Sequence, residues 1–214
     1  MSQLQTAAGE STAPLSVCLF CGSSSAVRPE YLAAAGALGT AFAQAGVRLV
    51  YGGGGVGLMG AASKAAHTAG GKVLGVMPQF LQRQEALYDA VETLVVETMH
   101  DRKRIMFEQS DAFAILPGGI GTLEEVIELM SWRRLDLHRK PIVFLDQGGF
   151  WRPLFAMLQH TVEEKFTPAW LDATWGAVDE VAQILPMIRT LQAQAASGPG
   201  FHGYPAGAEV GAKI

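Results

Sequence analysis

Short apolar runs alternate with helix-like segments along this chain, and that alternation limits what it can fold into. The runs are Leu15–Cys21, Val47–Tyr51, Lys72–Met77, Val91–Val96, Ala112–Leu116 and Pro141–Leu145. Helix-like segments separate most of them: Pro29–Ala45, Val56–Ala69, Asp101–Ser110 and Thr122–Leu135, with Trp151–Glu164 and Val178–Ala195 completing the set. The first of these has proline in its opening turn and stops at Gly46, as helices do. Strands that are apolar throughout, joined through helices, form a parallel sheet covered on both faces. The expected fold is therefore α/β: Rossmann-like and doubly wound, with a mainly parallel sheet. One domain is expected over 15–195, between a loose segment at 1–14 and a glycine-rich tail at 196–214. Such sheets bind ligands beyond the carboxyl ends of their strands.

Composition narrows the function classes. Hydrophobic residues make up 49% and charged residues 17%, against about 25% charged in a typical domain, so extended disorder is excluded. The net charge of −4 gives no basic footprint for nucleic acid. Cys18 and Cys21 share the first apolar run. Positions three apart on a strand face opposite ways, so the pair cannot converge on a metal. Met1–Pro14 has no basic residue, and no apolar run approaches the ~20 residues of a membrane helix. A cytoplasmic protein without membrane attachment is expected.

Glycine is the residue in excess, 25 of 214, and ten of the 25 cluster at three strand ends. These loops contain Gly22-Ser23-Ser24, Gly52 to Gly60 and Gly118-Gly119-Ile120-Gly121-Thr122. Glycine lets a ligand approach the backbone, and each loop leads toward a helix start whose first amides lack partners, a combination suited to phosphate. Gly22, Ser23, Gly53 and Gly54 are candidate phosphate-side positions on this ground, with the hydroxyls of Ser24 and Thr122 as further donors. Gly55, Gly57 and Gly60 also match the dinucleotide pattern G-x-G-x-x-G. The acidic residue that should follow at the end of the next strand is missing, which disfavours a nicotinamide cofactor.

Residues 117–125 read PGGIGTLEE. They closely resemble the P-G-G-x-G-T-x-x-E signature of the LONELY GUY family of cytokinin-activating phosphoribohydrolases. Met99-His100-Asp101-Arg102-Lys103 resembles that family's second motif, and the similarity continues through Gln109–Pro117 and Trp132–Pro141. The resemblance implies hydrolysis of the N-glycosidic bond of a cytokinin riboside 5′-monophosphate or AMP, giving free base and ribose 5-phosphate, with no metal and no cofactor. It implies Arg102 and Glu125 as the catalytic pair. Glu85, Arg102, Lys103, Gly118, Gly119, Ile120, Gly121, Thr122, Leu123, Glu124 and Ser131 are implied as nucleotide-binding positions. It also implies a homodimer with the site near the subunit interface. The alternative on the same scaffold is a non-catalytic nucleotide or cofactor carrier, which has no need of an Arg102/Glu125 pair.

The residues themselves leave other roles open. Thr122-x-x-Glu125 is also a capping box. Glu124 and Glu128 look like a solvated face, while Leu123, Val126, Ile127 and Met130 look like the buried stripe of one helix.

Overall fold

The structure, a computed structural model, describes residues 14–82 and 86–197. Seven strands form one sheet: β1 (Ser16–Phe20), β2 (Arg48–Tyr51), β3 (Val73–Pro78), β4 (Glu92–Val96), β5 (Ala112–Ile115), β6 (Ile142–Leu145) and β7 (Trp175–Val178). Among the described residues six α-helices accompany them: α1 (Pro29–Gln44), α2 (Gly57–Thr68), α3 (Met99–Glu108), α4 (Ile120–Arg134), α5 (Arg152–Glu163) and α6 (Ile184–Ser197). The strand order is β4-β3-β2-β1-β5-β6-β7, and every neighbouring pair is parallel. The chain works outward from β1 to β4, then crosses back through α3 to set β5 on the other side of β1. That reversal makes the β1/β5 boundary the switch point of the sheet, where a crevice opens.

Alternation along the strands builds the two cores. Val17, Leu19 and Cys21 face α1, α2 and α6, whereas Cys18 and Phe20 face α3, α4 and α5. Cys18 and Cys21 thus lie on opposite faces, and neither is in a disulfide. All four residues of β5 are fully buried, each large one contributing roughly 1.5–3 kcal/mol of burial free energy. Helices α1 and α2 approach closely because Gly39 carries no side chain; a Cβ there would collide with the Ala62 carbonyl oxygen.

The expected fold class is the one observed. Strand β7, Trp-Gly-Ala-Val, lies outside the six apolar runs and overlaps the start of the helix expected over Val178–Ala195. Val178 instead ends the strand and α6 starts at Ile184. Helix α6 also runs to Ser197, past the expected start of the tail. The rest of the expected terminal segments, 1–13 and 198–214, lies outside the described residues. Among the described residues no helix is long and apolar enough to cross a membrane.

Candidate active site

The three glycine loops meet beyond the carboxyl ends of β1, β2 and β5, but they do different work. The Gly22 amide donates to the Pro117 carbonyl at 3.0 Å, and the Gly22 carbonyl accepts from the Leu58 amide at 3.1 Å. The Gly57 amide donates to Ser25 Oγ at 3.1 Å. The first two amides of α2 are therefore satisfied within the chain. Its glycines answer packing: a Cβ on Gly55 would strike the Ala86 carbonyl oxygen, one on Gly57 the Ser23 carbonyl, and one on Gly60 the Gly55 carbonyl. Gly57 also sits at φ +59°, a left-handed conformation in which side chains are strained. The G-x-G-x-x-G glycines are thus required where loop and helix backbones pack closely. Gly53 and Gly54 likewise do not line the cavity described below; Gly53 packs on Met77 and Gly54 bridges to Leu87.

The start of α4 is different. Its N-cap is Gly119, with no side chain to cap it, and the Leu123 amide makes the bond back to the Gly119 carbonyl at 3.0 Å. By helix geometry the preceding amides, Ile120 to Thr122, have no intrahelical acceptor, and the helix dipole favours an anion there. A Cβ added to Gly119 or Gly121 would meet only open space, so their bare backbone faces solvent rather than packing. Gly118 is a packing glycine, since a Cβ there would collide with the buried Thr122 hydroxyl. Because α4 begins at Ile120, Thr122 is its third residue and cannot be an N-cap. The capping-box reading of Thr122 and Glu125 therefore fails, and Glu125 stands in the second turn.

Arg102 comes from α3. Thr98 caps that helix, accepting from the Asp101 amide at 3.0 Å while its hydroxyl donates to Asp101 Oδ2 at 2.6 Å. The same hydroxyl contact, chiefly, holds the exposed Asp101 carboxyl below its ordinary pKa. One turn on, Arg102 is buried, and its Nη2 donates to the Gly52 carbonyl at 2.9 Å. A Cβ on Gly52 would occupy the place of that Nη2.

A cavity of about 320 Å³ lies between these elements, at the lower end of the range for small-molecule sites. Of the candidate site residues, Gly22, Ser23, Arg102, Gly119, Ile120, Gly121, Thr122 and Glu125 line it. Gly52, Met59 and Met106 line it too, beside Phe20 and Cys21. Met59 and Met106 are buried residues of α2 and α3, and no motif marks them as cavity lining. Wholly buried Cys18 lies within electrostatic reach of both candidate catalytic groups. Burial first, then the Glu125 charge, pushes its thiol well up, while a Ser110 hydrogen bond and the Arg102 charge oppose.

Gly118, Lys103, Leu123, Glu124 and Ser131 do not line the cavity. Leu123 packs toward the core. Ser131 is exposed, nine residues beyond Thr122, about 13 Å along the helix axis. Lys103 and Glu124 meet each other, as described below. Glu85 lies outside the described residues. The buried stripe of α4 is Val126, Leu129 and Met130; Ile127, expected within it, is 43% exposed.

Residues 59–188 match a family described as "Possible lysine decarboxylase". The chain is 45% identical over 151 residues to cytokinin riboside 5′-monophosphate phosphoribohydrolase LOG7 of Arabidopsis thaliana, covering 70% of each chain. It is 43% identical to LOG2 of the same plant, over 70% of this chain and 71% of that one. Among solved structures, the molybdenum cofactor binding protein of Rippkaea orientalis superposes with a TM-score of 0.66 at 23% identity, over 85% of this chain and 99% of that one. At that identity the likeness is one of fold.

Proposed function

The chain belongs to the LONELY GUY family of cytokinin riboside 5′-monophosphate phosphoribohydrolases, and from that membership we propose that it hydrolyses the N-glycosidic bond of a purine or cytokinin riboside 5′-monophosphate. Water adds to the anomeric carbon, the bond to the base breaks, and free base and ribose 5-phosphate leave. The observation that carries this reading is that Arg102 and Glu125, from two different helices, line one cavity with the open start of α4.

The 5′-phosphate binds at the amides of Ile120 to Thr122, with the Ser23 hydroxyl beside it. As the glycosidic bond stretches, positive charge builds on the ribose. The Glu125 carboxylate stabilises that charge and orients the attacking water. Arg102 is permanently cationic, so its part is to hold phosphate or ribose oxygens and keep Glu125 ionised. A second reading, a carrier of a nucleotide or cofactor, draws on the fold likeness to a molybdenum cofactor binding protein.

Release of ribose 5-phosphate from AMP and from isopentenyladenosine monophosphate separates the two. Glu125→Gln is expected to cut turnover by about 10²–10³ while nucleotide still binds, by comparison with other preorganised electrostatic groups. Full turnover in that variant would remove Glu125 from the chemistry, and no turnover in the wild type would favour the carrier. Arg102→Ala is expected to weaken both turnover and AMP binding. The proposed assembly is a homodimer, and the proposed location the cytoplasm, where cysteines outside disulfides, such as Cys18 and Cys21, stay reduced.

A further inference from the structure

We propose that Lys103 is a positioning residue: it straps α3 to α4 and so sets how Arg102 and Glu125 face each other across the cavity, rather than binding the substrate. This rests on the phosphoribohydrolase reading above. Lys103 Nζ lies 2.5 Å from Glu124 Oε1 and 3.0 Å from Glu128 Oε2. The lysine side chain is only 15% exposed and does not line the cavity.

The sequence neighbours explain the arrangement. Lys103 follows Arg102 and Glu124 precedes Glu125, and successive helical residues are turned by about 100°. When Arg102 and Glu125 point into the cavity, Lys103 and Glu124 point sideways, where the two helices meet. Glu128, one turn beyond Glu124, shares that side of α4. The two carboxylates would repel each other without the ammonium between them. The trio is net negative, a poor place for a phosphate. Burial alone would lower the Lys103 pKa, but hydrogen bonds and charge from Glu124 and Glu128 outweigh it and keep the group firmly protonated.

The test compares Lys103→Met, Lys103→Glu and the charge-exchanged pair Lys103→Glu/Glu124→Lys with the full-length wild type. The readouts are kcat and KM for AMP, the Kd of AMP by calorimetry, and thermal stability. Lys103→Met is expected to lower kcat about tenfold or more, since small misplacements of reacting groups cost that much. KM and Kd should move less than about threefold, within what loss of a non-contacting charge produces. The exchanged pair should regain much of the kcat that Lys103→Glu loses. A large rise in Kd for Lys103→Met that the exchange does not repair would overturn the proposal, as would full kcat in Lys103→Met. Should the wild type release no ribose 5-phosphate, the enzymatic reading fails by itself. The AMP affinities still judge Lys103 then: unchanged affinity in Lys103→Met supports the strap, and lost affinity makes it a ligand.

Discussion

Gly52 and Gly60 both lack room for a methyl group, but what stands in the room differs. At Gly52 it is the end of the Arg102 side chain, which can swing aside. Gly52→Ala is therefore expected to leave thermal stability nearly unchanged and to lower kcat by about 10- to 100-fold through a displaced guanidinium. At Gly60 the obstacle is the Gly55 backbone carbonyl, which cannot move without the loop. Alanine in a helix interior gains about 0.5–1 kcal/mol over glycine, but overpacking costs typically 1–3 kcal/mol. The clash wins, and Gly60→Ala should lower the thermal midpoint measurably. In the sequence the two glycines look alike, members of one cluster after one strand. The motif marks where side chains are missing and says nothing of what fills each space.

At the level of elements, α4 shows how far local pattern reaches. Its existence, and the loop before it, were legible from Pro117-Gly118-Gly119 and the apolar spacing that follows. Its first turn was not, because a glycine N-cap carries no side-chain signature. The identity of its buried stripe depended on the angle at which it meets the sheet, which is tertiary. Strand β7 escaped for a similar reason: Trp-Gly-Ala-Val becomes a strand by pairing with β6. The far end of α4 is pinned by His138. Its Nε2–H donates to the Leu129 carbonyl at 3.0 Å, and its Nδ1 accepts the Lys140 amide at 3.2 Å. Burial first of all, with Arg133 and Lys140 adding to it, pulls its pKa below the ordinary 6.5, against the pull of the Leu129 bond. The unfolded chain then binds more protons than the folded one just below pH 6.5, so stability falls as pH drops through that range. The thermal midpoint should decline from about pH 7 to about pH 5, less steeply in His138→Gln. Parallel pH profiles for the two proteins would exclude His138 as a source of the decline.

For the whole molecule, the outer side of α4 and the turn after it expose apolar surface: Ile127 at 43%, Leu135 at 48% and Leu137 at 57%. The homodimer proposed above is expected to cover Ile127. Ile127→Glu is expected to shift the sedimentation coefficient from dimer to monomer, and a wild type that sediments as a monomer would refute the assignment. Fold class, the strand ends around the candidate site, and the two motifs holding Arg102 and Glu125 were legible before any tertiary contact was known. Apolar periodicity and backbone chemistry are local, so they can be read residue by residue. Which glycine loop keeps its helix start open, which glycines answer packing, and that Lys103 and Glu124 meet each other became visible only in three dimensions. Those facts depend on what lies opposite each residue across the β1/β5 boundary, and strand order, not sequence distance, fixes that.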